Sequence, residues 1–126
     1  MAKKRILIID DEEDLSRLLK LALEGEGDFE VSYESVPQKA LEAARAFKPD
    51  AMLLDLVMPG MDGGELMFKL KGDEELRGIP VVFLTASIDP ATGVGATLFG
   101  CPCLQKPAGL DEVIECLEAC LEPGSE

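Results

Sequence analysis

The sequence predicts an α/β fold in which a parallel sheet is covered by helices on both faces. Five short apolar runs recur along the chain, at residues 6–9, 29–33, 51–56, 81–84 and 101–105. Helical patterns separate these runs. Strands that alternate with helices favour right-handed crossover connections, which make the strands of one sheet parallel.

The five runs differ in how deeply we expect them to be buried. Four are nearly continuous in apolar character or rich in β-branched residues, as expected for strands buried on both faces. The second instead alternates Phe29, Val31 and Tyr33 with polar residues, which predicts a strand nearer the sheet edge. The fifth, residues 101–105, has the weakest strand pattern.

Amphipathic spacing predicts the first and second helices. The first covers residues 14–24, and the stripe that we expect to face the core consists of Leu15, Leu18, Leu19, Ala22 and Leu23. The second runs through Phe47, with Ser35 as its expected N-cap and Pro37 as its first residue.

Two further helices are well marked and one is weak. The third follows Gly63-Gly64, and the last begins near Asp111 with an apolar stripe through Val113 and Leu117. Between them, residues 89–100 contain three glycines, which lower helix propensity, so only a weak helix is predicted there.

Composition excludes several classes of function. The 126 residues have the usual length of one domain and carry 12 basic and 25 acidic side chains, a net charge of −13 that should repel nucleic acid. Histidine is absent, which removes histidine-based catalysis and histidine metal sites. No apolar run is long enough to span a bilayer and no secretion signal is visible, so we expect a cytoplasmic protein with reduced cysteines.

Chemically useful side chains follow four of the predicted strands. The first strand ends in Asp10 and Asp11, the third near Asp55, the fourth at Thr85 and the fifth at Lys106. Carboxyl ends of parallel strands meet at one edge of the sheet, where ligands bind in this architecture. Carboxylates there suit Mg²⁺ and a carboxylate nucleophile, while the amine and hydroxyl could stabilise a phosphoryl group.

These residues lie in motifs that resemble response-regulator receiver domains over most of the chain, from Lys4 to about Leu121. The motifs are the acidic pair Asp10-Asp11, LLDLVMPGMDG at residues 53–63, PVVFLTA at residues 80–86, and Lys106-Pro107. The resemblance implies a flavodoxin-like three-layer sandwich with a doubly wound five-stranded parallel sheet of order 2-1-3-4-5. We expect residues 1–121 to form the receiver and residues 122–126 a frayed tail.

The resemblance also implies roles for the residues at the strand ends. Asp55 is then the phosphoacceptor, and Mg²⁺ is held by Asp10, Asp11, Asp55 and the main-chain carbonyl of Val57. Thr85 and Lys106 are the catalytic and switch residues. A sensor histidine kinase or phosphotransfer protein would supply the phosphoryl group, and protein contacts would transmit the signal. Such a domain is regulatory and catalyses only its own phosphorylation and dephosphorylation.

One position departs from the pattern. Receivers usually carry Tyr or Phe three residues before the lysine, and this chain has Cys103 there. A thiol cannot reproduce the movement of an aromatic ring, so we expect the readout to differ and residues 89–100 to reorder instead. Val57 and Ser87, neither of them able to orient a water, predict slow self-dephosphorylation.

Two alternatives come from other classes of protein, a protein-binding module and an enzyme. A pseudo-receiver that only binds proteins would be expected to have damaged acids or a missing Lys106, yet all are present. An aspartate-based phosphatase would need Asp-x-Asp where this chain has Asp55-Leu56-Val57, and a flavodoxin would need a phosphate loop where it has Asp10-Asp11-Glu12. The pseudo-receiver remains the main alternative.

Overall fold

A parallel sheet organises the chain. The computed structural model describes residues 3–55, 60, 63–85, 97–98, 101–106 and 109–121. Its strands are β1 (Lys4–Ile9), β2 (Phe29–Glu34), β3 (Ala51–Asp55), β4 (Val81–Thr85), β5 (Thr97–Leu98) and β6 (Cys101–Gln105). Five of them are parallel and lie in the order β2-β1-β3-β4-β6. This confirms the predicted order 2-1-3-4-5, with β6 as the predicted fifth strand and β2 at the edge.

The outer edge of the sheet holds a strand that was not predicted. β5 pairs antiparallel with β6, with Thr97 opposite Pro102 and Leu98 opposite Cys101. The weak helix expected over residues 89–100 is therefore wrong at residues 97 and 98. A two-residue strand is too short to leave a periodic pattern in sequence, and its pairing with β6 decides its conformation. The rest of that segment lies outside the described residues.

Helices cover both faces of the sheet, as predicted. They are α1 (Glu13–Gly25), α2 (Ala40–Phe47), α3 (Gly63–Lys71) and α4 (Leu110–Leu121). A short 3-10 turn, Pro37–Lys39, leads into α2 and begins with the expected proline. The expected N-cap is wrong, because Val36 occupies the cap position and no side chain caps the turn. Within the described residues, no helix has the length and apolar character needed to cross a bilayer.

Alternate residues of the strands form two cores, one on each face. Leu7 and Ile9 of β1 belong to the core shared with α2 and α3, whereas Ile6 and Ile8 belong to the core shared with α1 and α4. All four are buried, which is why the run is continuously apolar. Both faces of the central strands are thus fixed by packing, and the strand ends are fixed with them.

The apolar stripe predicted for α1 only partly faces the core. Leu23 is fully buried and Leu19 packs against the core, but Leu15 is 43% exposed and Leu18 is 64% exposed. The prediction is therefore wrong for these two leucines. The buried face of α1 runs through Ser16, Leu19 and Leu23, which are spaced by three and four residues, so Leu15 and Leu18 lie on its flank.

Candidate functional site

Three carboxylates meet at the carboxyl edge of the sheet. Asp10 and Asp11 follow β1, and Asp55 is the last residue of β3. Each offers one carboxylate oxygen, and these oxygens all lie within 4.8 Å of one another. Asp10 is 3% exposed and Asp55 is 6% exposed, whereas Asp11 faces solvent. The group is therefore buried at its base and open on one side.

Strand register explains the convergence. β1 and β3 are neighbours, and Ile9 lies opposite Leu54, so the residues that follow these two positions share one edge. The Asp10 amide donates to the Glu34 carbonyl at 3.2 Å, which extends the β1 ladder by one residue. Asp10 Oδ1 then accepts the Glu12 amide at 2.9 Å. This turn fixes the backbone that carries the first two acids.

Lys106 brings a positive charge to the acids. It follows β6, and its Nζ lies 2.6 Å from Asp10 Oδ2 and 3.4 Å from Asp55 Oδ2. A third contact, at 3.1 Å, joins Nζ to Glu12 Oε1. Burial alone would lower the pKa of Lys106, but the hydrogen bonds to Asp10 and Glu12 and the charges of Asp10 and Asp55 raise it above its usual value. Lys106 is therefore positively charged at neutral pH.

The other predicted site residues are only partly described. Thr85 ends β4 and pairs with Gln105 of β6, so its backbone lies at the same edge as Lys106. Val57 and Ser87 lie outside the described residues.

Cys103 lies within the sheet rather than at its edge. It occupies the middle of β6 opposite Phe83, is half-buried, and packs against the core shared with α2 and α3. Burial raises the pKa of its thiol, which disfavours the reactive thiolate. Whether this position takes part in the readout stays a prediction.

Sequence reasoning missed the contact of Glu12. The residue is the third acid after β1, and its position alone predicts no role. Its partner Lys106 is 94 positions away in the chain, and only the fold brings the two together. A glutamate directly after an acidic pair carries no signal that it reaches across the sheet edge.

A cavity of about 240 Å³ adjoins the acids, between the first and last helices. Its polar lining residues are Asp10, Ser16 and Lys106. Its apolar lining residues are Ile8, Leu15, Leu18, Leu19, Ala22, Leu84, Leu110 and Val113. Leu15 and Leu18, two exposed leucines of α1, therefore flank the group that contains Asp10 and Lys106.

A comparison with protein families identifies the chain. The profile of the response regulator receiver domain matches residues 6–118. The chain therefore belongs to the response regulator receiver domain family, whose members act in two-component signalling.

Relatives and solved structures agree with that family. The chain is 40% identical over 87 residues to the DNA-binding response regulator MtrA of Mycolicibacterium smegmatis, and this match covers 69% of the chain and 36% of MtrA. It is 48% identical over 82 residues to the response regulator PleD of Caulobacter vibrioides, covering 65% of the chain and 18% of PleD. The chain thus spans well under half the length of either relative.

The fold itself matches solved structures closely. The chemotaxis response regulator CheY4 of Vibrio cholerae superposes on the chain with a TM-score of 0.78 at 21% identity. The match covers 95% of the chain and 100% of CheY4. At that identity the likeness shows the fold alone.

We expect Lys106 to stabilise the site in the absence of metal. Lys106→Met removes the cation shared by two buried carboxylates, and the free energy of unfolding in magnesium-free buffer should fall by about 2 kcal/mol. Urea denaturation measures this change. Lys69→Met, at an exposed lysine of α3, is the matched control and should cost less than about 0.5 kcal/mol. Equal losses in the two variants would show that Lys106 does not stabilise the acids.

Proposed function

We propose that this receiver accepts a phosphoryl group on Asp55 with the help of Mg²⁺ held by Asp10, Asp11 and Asp55. The observation that carries the proposal is the convergence of three carboxylates and one lysine at a single edge of the sheet. Carboxylate oxygens are the ligands that this hard cation prefers, and one or two carboxylates with water and phosphate oxygens complete its shell. By resemblance, the carbonyl of Val57 is a further ligand.

The residues present divide the chemistry among themselves. An oxygen of the Asp55 carboxylate attacks phosphorus, and the bond from phosphorus to the donor histidine nitrogen breaks. The electron pair of that bond stays on the nitrogen. No general base is needed, because the carboxylate is already ionised. Held by Asp10, Asp11 and Asp55, Mg²⁺ would supply positive charge that offsets the charge of the carboxylates and of the incoming phosphoryl oxygens.

Lys106 and Thr85 would stabilise the product. The Lys106 ammonium already lies 3.4 Å from Asp55 Oδ2, so a phosphoryl oxygen added there comes within its reach. The Thr85 hydroxyl is the second proposed donor, since its backbone lies at the same edge. Hydrolysis later returns the carboxylate: water attacks phosphorus, the bond from phosphorus to the Asp55 oxygen breaks with its electron pair on that oxygen, and inorganic phosphate leaves with the protons of the water.

The biological role follows from this chemistry. We propose a regulatory domain in the cytoplasm that catalyses only its own phosphorylation and dephosphorylation. Its phosphodonor would be a sensor histidine kinase or a phosphotransfer protein, since the chain has no histidine of its own. Its output would pass through protein contacts, because a net charge of −13 disfavours direct contact of this domain with nucleic acid.

Labelling with acetyl phosphate tests the proposed function. We expect one phosphoryl group per chain by intact mass, dependent on Mg²⁺ and lost in Asp55→Asn, because Asp55 is the proposed nucleophile. Asp28→Asn, at an exposed aspartate outside the site, is the control and should be labelled as the wild type is. No adduct on the wild type, under conditions that label an authentic receiver, would favour the pseudo-receiver.

Two exposed leucines of α1, Leu15 and Leu18, are the proposed docking surface for the phosphodonor protein. Leu15 and Leu18 line the cavity beside Asp10 and Lys106, so a protein seated on them would stand next to Asp55. Exposed apolar residues clustered beside a reactive group are typical of a protein interface.

A pair of leucine variants tests this surface. Leu18→Ser should slow transfer from a phosphorylated histidine kinase or phosphotransfer protein about ten-fold, while labelling by acetyl phosphate stays unchanged. Leu21→Ser is the control, because Leu21 lies on the same helix and is 60% exposed, against 64% for Leu18, but does not line the cavity. Equal slowing by both variants would contradict the proposed surface.

A further inference from the structure

Glu12 stands out as a charged residue whose contact has no role in the chemistry above. It occupies the N-cap position of α1, yet its side chain makes no capping hydrogen bond. Glutamate is a poor capping residue compared with Ser, Thr, Asp or Asn. The Glu12 carboxylate instead crosses the sheet edge and accepts a hydrogen bond from Lys106 at 3.1 Å.

Lys106 donates hydrogen bonds to Asp10 and Glu12 and forms a longer ion pair with Asp55. Nζ lies 2.6 Å from Asp10, 3.1 Å from Glu12 and 3.4 Å from Asp55. An ammonium has three donors and no acceptor. The hydrogen bonds to Asp10 and Glu12 hold the amine 3.4 Å from Asp55, so a closer approach to a phosphoryl oxygen on Asp55 stretches one of these two bonds.

Exposure indicates which contact gives way. The side chains of Asp10 and Asp55 are 3% and 8% exposed, whereas that of Glu12 is 59% exposed. A buried carboxylate that loses its cation is left poorly solvated, but Glu12 returns to water at little cost. The Glu12 backbone stays fixed meanwhile, since its amide donates to Asp10 and its carbonyl accepts the Ser16 amide.

We infer that Glu12 is a positioning residue that holds Lys106 in the unphosphorylated receiver and competes with the phosphoryl group for it. This inference rests on the proposed function. Glu12 keeps the amine over the acids when no phosphoryl group is present, and it is displaced when one arrives. The residue thereby sets how readily the site takes up a phosphoryl donor, without itself touching the reacting atoms.

Three variants distinguish the hydrogen bond between Glu12 and Lys106 from the negative charge of Glu12. Glu12→Gln removes the charge that competes for Lys106. Glu12→Asp keeps the charge but is one methylene too short to reach the amine, and aspartate is a good N-cap, so α1 is not weakened. Glu13→Gln removes the same charge one residue further along, at an exposed position that forms no ion pair with Lys106 within the described part of the chain.

The first measurement needs no metal and no phosphorylation. Nitrogen-15 NMR of the magnesium-free protein follows exchange of the Lys106 ammonium hydrogens with water. We expect faster exchange in both Glu12 variants and wild-type exchange in Glu13→Gln. Glu12→Gln replaces a charged acceptor by a weaker neutral one, and Glu12→Asp moves the acceptor out of reach. Unchanged exchange in both Glu12 variants would show that the residue does not hold Lys106, and would overturn the inference.

The second measurement is the dependence of the phosphorylation rate on acetyl phosphate concentration, with Mg²⁺ present. In both Glu12 variants the half-saturating concentration should fall about three-fold, the scale of one exposed ion pair, with little change in the maximal rate. Glu13→Gln should behave as the wild type does. Equal effects of Glu12→Gln and Glu13→Gln would assign the change to overall charge and overturn the inference, as would wild-type kinetics in Glu12→Asp.

Failure of the proposed function gives a different pattern. A wild type that takes no phosphoryl group on Asp55 would refute that function, and the competition inferred for Glu12 would fall with it. A labelled wild type whose half-saturating concentration is unchanged in both Glu12 variants would overturn the role of Glu12 alone.

Discussion

The ion pairs between Lys106 and the acids are the interaction on which the site depends. Three carboxylate oxygens within 4.8 Å of one another repel, and two of the three residues, Asp10 and Asp55, are buried where water screens them poorly. A lysine 2.6 Å from Asp10 offsets part of that repulsion. The same excess of negative charge makes the site attractive to a divalent cation. The cluster of carboxylates thus explains both the electrostatic repulsion in the unphosphorylated receiver and its proposed chemistry.

The fold supplies what this interaction requires. Central strands buried on both faces cannot slide without exposing one of the two cores, so the positions that follow β1 and β3 are held rigidly. β6 brings Lys106 to the same edge from nearly the other end of the chain. The solvent side of the site is built differently, from exposed residues of α1. The sheet therefore fixes the reactive groups, while Leu18 and Glu12 on the solvent side are exposed.

Much of the fold could be predicted because the strands are apolar on both faces and the helices are amphipathic. The order of the strands followed from a family resemblance rather than from periodicity. Burial of Leu15 and Leu18 was wrongly predicted, because apolar spacing defines a stripe on a helix without showing which of its residues face the core. Ser16, a small polar residue, lies on the buried face of α1. For the site, Asp10, Asp55 and Lys106 could be chosen from their places at strand ends. The contact of Glu12 could not, since it depends on side-chain reach across the folded sheet edge.

A structure of the receiver with Mg²⁺ and beryllofluoride, a mimic of the phosphoryl group, tests the central claim most directly. The account predicts beryllium bonded to a carboxylate oxygen of Asp55, with Lys106 Nζ within hydrogen-bond distance of a fluoride and no longer bound to Glu12. The account would be contradicted if Asp55 bound no beryllofluoride at concentrations that saturate an authentic receiver and Lys106 kept its hydrogen bonds to Asp10 and Glu12.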